Sequence, residues 1–194
     1  MLTRIPPVAA AAVLALALAG CTATPPGAQP SSSVSASASV LTAQGTKLAL
    51  GETAKVAYSP DSTLSTTLAI TVTKVTAAPM KDFELFALSA TDRKSNFFYV
   101  KMTIENIGTG TVGGDPVPVW GVSPQDVLLP PVSFSAPFKP CTSKALPKKF
   151  SPGDTKDFCE VYQVKNAGEL KALSYRPDAS FDPIVWSPLD LANG

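Results

Sequence analysis

The sequence predicts an all-β protein, an antiparallel β-sandwich carried behind a signal segment and an unstructured tether. Three observations predict it. Over residues 98–105, Phe98, Val100, Met102 and Ile104 alternate with Tyr99, Lys101, Thr103 and Glu105. That period of two, in aromatic and β-branched residues, is the pattern of a strand with one buried face. A half-apolar strand needs a second layer to cover it. Further short runs of the same kind recur along the chain between turn residues, and many of the 19 prolines fall at their ends. Past residue 20 there is almost no long helical period. A closed barrel is the alternative arrangement of the same elements.

The chain has 194 residues and a formal net charge of +1. Arg4 opens a signal-like segment, and an apolar run from Val8 to Leu18 follows it. That run is shorter than the ~20 residues a helix needs to cross a bilayer, so residues 1–20 read as a signal peptide. The segment ends in Leu18-Ala19-Gly20-Cys21, which resembles the lipobox of bacterial lipoproteins. The resemblance implies a diacylglycerol on the Cys21 sulfur and cleavage just before it. Two thioether-linked acyl chains make a stable anchor where one does not. Residues 21–44 are rich in Ser, Ala and Pro and carry no charge or aromatic group. They cannot bury enough surface to fold and read as a tether. A flexible chain of about 22 residues averages roughly 25–28 Å end to end.

The domain is expected over residues 45–188, with 189–194 as a tail. Residues 47–58 read as one strand, or as a pair bent at Gly51. In the run 64–75, Leu68, Ile70 and Val72 share a face, and Val75 falls out of phase with them, which predicts a bulge. Residues 80–90 fit a short irregular connection or a single helical turn. The central strand follows from Asn96, and Asn106 and Gly108 are expected to turn it. The glycine-rich stretch Gly108–Asp115 lacks the lysine of a phosphate-binding loop. Residues 117–122 and 127–129 read as short strands broken by Pro118 and Pro124, which suits a sheet edge. A long loop spans 130–150. Residues 154–165 form a strand, 166–169 a turn, 170–175 its return, and 184–186 a last edge strand.

With Cys21 assigned to lipid, Cys141 and Cys159 remain as an even pair. Outside the cytoplasm such a pair is expected to be a disulfide. A loop of that length contributes about 3 kcal/mol in the chain-entropy account. The pair ties the 130–150 loop to the strand around residue 159. It is too closely spaced to be the strand B to strand F bridge of an antibody domain.

The pieces Leu50-Gly51-Glu52-Thr53, the Thr67–Val75 strand, the run from Phe97 to Asn106 and the turn Phe150-Ser151-Pro152-Gly153-Asp154-Thr155 resemble a bacterial family of immunoglobulin-like domains of unknown function. The family is common in lipoproteins and similar in fold to small secreted immunoprotective antigens. The resemblance covers roughly residues 48–175. It implies an immunoglobulin-like sandwich and brings no catalytic residue with it. The cysteine pair is not general in that family.

The chain has no histidine. That removes Ser-His-Asp and Cys-His catalysis and histidine-ligated zinc and copper. Carboxylate pairs remain for glycosidase-type chemistry, with Asp82/Glu84 and Asp157/Glu160 as the nearest candidates. In a strand, positions 82 and 84 share a face and 157 and 160 do not. Calcium at Asp178 and Asp182, or at Gly113-Gly114-Asp115, lacks enough oxygen ligands. No cofactor is expected. The balanced charge argues against nucleic acid. Lys139, Lys144, Lys148 and Lys149 cluster without an acid, just after Phe134 and Phe138. This is a candidate patch for an anionic partner, weighed against a plain solvated loop.

The whole reads as a non-enzymatic binding or interaction module. It is expected at the extracytoplasmic face of a bacterial cell membrane, anchored through lipid on Cys21, with a protein or envelope polymer as partner. The alternatives are an envelope hydrolase working through carboxylates alone and a purely structural envelope protein.

Overall fold

The computed structural model describes residues 40–142 and 145–189, and 191–192 as backbone. The signal segment, Cys21, the tether through residue 39 and Lys144 lie outside the described residues. The described strands are β1 (Lys47–Leu48), β2 (Thr53–Tyr58), β3 (Thr66–Ala78), β4 (Asn96–Asn106), β5 (Val119–Val122), β6 (Leu128–Leu129), β7 (Thr155–Val164), β8 (Ala172–Tyr175), β9 (Ile184–Trp186) and β10 (Leu191–Ala192). They form two sheets. One has the order β1-β9-β8-β5-β6; in the other, β10-β3-β4-β7, strand β2 also pairs with β3. The sandwich expected from the sequence is therefore present.

The central strand behaves as its alternation requires. Phe98, Val100, Met102 and Ile104 are buried between the sheets, and Lys101 and Glu105 are exposed. β3 meets β4 antiparallel, and its register slips between Val72 and Lys74. The slip is the bulge that the phase of Val75 predicts. It places Val75 back on the inner face with Leu68, Ile70 and Val72. It also divides the far edge of β3. β2 pairs with Thr66–Thr71, and β10 pairs with Val75 and Thr76.

Five features depart from the sequence reading. The sandwich is not wholly antiparallel, because β1 runs parallel to β9 and β10 parallel to β3. β9 is not an edge strand but lies between β1 and β8, and β5 lies one strand in from the edge formed by β6. The stretch 189–194 is not simply a tail, since Leu189 packs on the core and β10 joins a sheet. The N-terminal boundary falls earlier than residue 45. The Thr42 amide donates to Lys55 O at 2.8 Å, and the Asp182 amide donates to Gln44 Oε1 at 2.9 Å. The parallel pairs β1–β9 and β10–β3 and the Asp182–Gln44 bond join chain ends to segments more than 100 positions away, which local sequence does not encode.

The fifth concerns Asn106, which does not act through backbone freedom. It is fully buried. Its Nδ2 donates to Gly110 O at 2.8 Å and to Phe150 O at 2.9 Å. Its Oδ1 accepts from the Thr66 hydroxyl and from the Gly108 amide. One amide thus joins the start of β3, the glycine-rich loop and the segment ahead of β7. Gly108 and Gly110 lie so close to the 65–67 backbone that a Cβ would collide with it. The glycines allow close packing there.

The 80–95 connection carries two 3-10 turns, at Met80–Phe83 and Asp92–Lys94. It covers part of the outer face of the β4 sheet. Phe83, Phe97, Phe138, Cys141 and Val161 form a second buried cluster there, apart from the main core. β4 is consequently covered on both faces at its first half and on one face at its second.

Candidate functional site

β7 is an edge strand, and its alternation is the starting point for the site. Phe158, Tyr162 and Val164 belong to the main core, whereas Cys159 and Val161 belong to the outer cluster. Glu160 shares the inward parity of 158, 162 and 164 and is only 8% exposed. A carboxyl group therefore occupies a position that the strand period reserves for an apolar side chain.

The 130–150 loop wraps this edge. It leaves β6, and the Val132 amide donates to Val161 O at 2.7 Å, binding the loop to the free edge of β7. It then crosses to the outer face. Phe138 stacks on Phe83 at 5.0 Å between ring centroids and on Phe134 at 4.4 Å, and Phe83 stacks on Phe97 at 4.3 Å. Such ring pairs add about 0.5–1.5 kcal/mol each beyond the area they bury. The Cys141–Cys159 disulfide follows, with Cα atoms 5.1 Å apart and 18 positions between them in sequence. It is the bond expected from the cysteine count. Beyond it, Leu146 and Phe150 return to the main core, and Phe150 pairs with Val112.

Beneath the loop lies a cleft of about 640 Å³. Its walls are mostly proline, alanine and aromatic side chains, and Glu160 is the only ionisable group among its described lining residues. Burial pushes the Glu160 carboxyl up to about 7, partly offset by the hydrogen bond with Tyr162. Tyr162 Oη lies 2.7 Å from Glu160 Oε2 and 2.9 Å from Val119 O. A phenol has one hydrogen. With the carboxyl protonated, Glu160 donates to Oη and Oη donates to Val119 O, so both contacts are satisfied. With the carboxyl ionised, only one of them is. Burial favours the neutral acid, and the same burial raises the Tyr162 phenol well above its ordinary value.

The carboxylate pairs weighed from the sequence do not assemble. Asp157 is exposed, accepts from the Thr103 hydroxyl at 2.8 Å and lies on the face of β7 opposite Glu160. Asp82 sits in a 3-10 turn, not a strand, and accepts from the Tyr99 hydroxyl at 2.6 Å, while Glu84 is exposed. Each of the five principal clefts has at most one carboxylate in its lining. Among the described residues no three metal-ligating side chains come together. Asp178 Oδ1 is occupied by the Ser180 amide and hydroxyl and the Phe181 amide, which hold its carboxyl below the usual range.

Of the lysine patch, Lys139, Lys148 and Lys149 are exposed, and Lys144 lies outside the described residues. The one ion pair among the described residues joins Lys171 to Asp126, so none of these three lysines is neutralised by an acid at bonding distance. Lys139 lines a cleft at the rim of the aromatic cluster, whereas Lys148 and Lys149 lie between the core residues Leu146 and Phe150. The two phenylalanines that precede the patch are not exposed beside it. Phe138 is 4% exposed and Phe134 is half-buried, both packed in the outer cluster.

With the site described, the comparisons can be placed beside it. No family model matches the chain, and no curated protein matches it. The fold is similar to MPT63. That protein is a secreted protein from Mycobacterium tuberculosis of known crystal structure, 11% identical to this chain, with a TM-score of 0.49 over 76% of this chain and 100% of its own. At that identity and score the likeness carries no inference about function. The family named from the strand motifs has no matching model.

The residue that sequence reasoning undervalued is Glu160. From the sequence it stands only as half of a carboxylate pair. The available signal was its inward parity with Phe158, Tyr162 and Val164, which marks a buried acid.

Proposed function

We propose that this chain is a lipoprotein, anchored through acyl chains on Cys21 at the extracytoplasmic face of a bacterial membrane, whose sandwich binds a partner without catalysing a reaction. The observation that carries the binding half is the loop-walled cleft at the β7 edge, with one buried carboxyl and no second acid among its described lining residues. A carboxylate hydrolase needs two acids across one substrate, and that arrangement is absent from the principal clefts described above. The anchoring half is supported by the Leu18-Ala19-Gly20-Cys21 motif and by the disulfide, a bond that persists in oxidising compartments. Lys139, Lys148 and Lys149 are exposed and unpaired with acids, a charge suited to an acidic protein or an anionic wall polymer.

Two measurements on intact cells test the reading. Cys21→Ser should move the protein from the membrane fraction to the soluble one. Retention of the variant, with no uptake of labelled fatty acid by the wild type, refutes the anchor. Crosslinking followed by mass spectrometry should capture a specific protein or wall fragment. Its yield should fall when Lys139, Lys144, Lys148 and Lys149 are changed to Gln. Capture of nothing above background refutes the binding role.

A further inference from the structure

We propose that the cleft under the 130–150 loop binds a small ligand bearing a primary ammonium group on an apolar body, with the Glu160 carboxylate as its counter-ion. This deepens the reading of the domain as a binding module and rests on it.

The dimensions suit a small molecule. The cleft measures about 640 Å³, within the roughly 300–1,000 Å³ of ordinary ligand pockets. Its walls include Val132, Phe134, Pro137 and Phe138, and the Cys141–Cys159 bond holds the loop that supplies them. A wall anchored at a disulfide, an edge hydrogen bond and an aromatic stack is formed before the ligand arrives. Preorganisation of this kind lowers the cost of binding.

Glu160 decides the chemistry. It is more than nine-tenths buried, yet it lines the cleft. For the fold alone, a carboxyl at this inward position is a liability, since an apolar side chain would fill it without desolvating an acid. A cation in the cleft reverses that balance. The class of cation follows from the free valence. Oε2 is taken by Tyr162, and no described donor reaches Oε1. A guanidinium fork pairs best with both oxygens of a carboxylate, and one of them is occupied. A divalent metal needs several oxygen ligands, and no second acid lines the cleft. An ammonium is a compact charge that pairs with one oxygen, and hydroxyls of Ser133, Ser135 and Thr142 line the same space as further acceptors. The titrating neighbour facing Glu160 is Tyr162 on its own strand. The lining residues from the 116 segment, from 131–138, from 141–142 and at 145 bring no charge.

The test is calorimetric titration of the full chain with benzylamine and with benzyl alcohol, which share a shape and differ in charge. At pH 8 benzylamine should bind at least tenfold more tightly than the alcohol. The preference should shrink severalfold at pH 5, where Glu160 is protonated. Glu160→Gln should abolish the preference while leaving alcohol binding unchanged, whereas Glu169→Gln, at an exposed acid elsewhere, should alter neither. The wild type gives a readout that does not depend on the folding of any variant. The ¹³C carboxyl resonance of Glu160 should titrate at lower pH when benzylamine is present. Equal binding of amine and alcohol, a preference that survives in Glu160→Gln, or no binding at all overturns the proposal. So does amine binding seen only in Lys144→Gln, because the cation would then be the chain's own. If the amine fails while crosslinking in cells still captures a partner, this site is refuted and the binding module stands. If both fail, both are refuted.

Discussion

Replacing Glu160 with Gln should change how stability depends on pH more than it changes stability itself. The carboxyl titrates near 4.5 when exposed and at about 7 in the fold, chiefly because burial penalises its charge. Between those values the folded state holds a proton that the unfolded state has released. Stability therefore falls as pH rises through that window. Each pKa unit is worth about 1.4 kcal/mol, so the wild type should lose about 3 kcal/mol between pH 4.5 and pH 7 and then level off. The window is otherwise quiet. The chain has no histidine, and the acids with lowered values, Asp61, Asp92 and Asp178, complete their titration below it. Glutamine has the shape of the protonated acid and can donate to Tyr162 Oη in the same way. Glu160→Gln should match the wild type at pH 4.5 and exceed it by about 3 kcal/mol at pH 8. Urea denaturation at half-unit pH steps gives both curves. A wild-type curve that is flat from pH 4.5 to 7, or a variant with the same slope, refutes the buried-acid reasoning.

Three further outcomes are expected. Asn106→Leu removes the donor to Gly110 O and the acceptor for Thr66, and should cost about 3 kcal/mol in urea denaturation, given roughly 1–3 kcal/mol for each buried polar group left unpaired; a loss under 1 kcal/mol would show that these groups find other partners. Phe83→Ala empties the centre of the outer aromatic cluster and should cost about 3 kcal/mol, with faster hydrogen exchange at the Val132 amide as the 130–150 loop loosens; unchanged exchange would separate the cluster from the loop. Thiol labelling of the unreduced, denatured domain should find neither Cys141 nor Cys159 reactive, and two labelled residues would refute the disulfide.

Where local pattern and tertiary position coincide, the sequence was sufficient. The alternation of residues 98–105 defines a strand with one inner face whatever lies around it, because side-chain direction repeats every two residues. The phase slip at Val75 required a bulge for the same reason, and the two sheets accept β3 with that bulge in place. The cysteine count was enough to pair Cys141 with Cys159 once Cys21 was set aside for lipid.

Other features depended on contacts that no local pattern records. The second hydrophobic cluster is built from residues 83, 97, 138 and 161: 97 and 161 come from the paired strands β4 and β7, 83 from the 80–95 connection, and 138 from the loop that passes around the β7 edge. Phe83 and Phe138 therefore read as connection and loop residues in the sequence and as buried residues in the fold. Likewise, β10 finds β3, and β1 finds β9, through chain-end pairings over more than 100 positions. The sequence alone determined the all-β class, the disulfide and the chemistries ruled out by the lack of histidine, since these follow from residue identity and short-range period, while the choice of two sheets over a closed barrel came from the fold. Tertiary structure alone decided which sheet each chain end joins, that Asn106 is a buried clamp, and that Glu160 faces a walled cleft instead of solvent. A carboxyl's environment is made by the residues that surround it in space, and those that wall this one in come from segments up to 44 positions away.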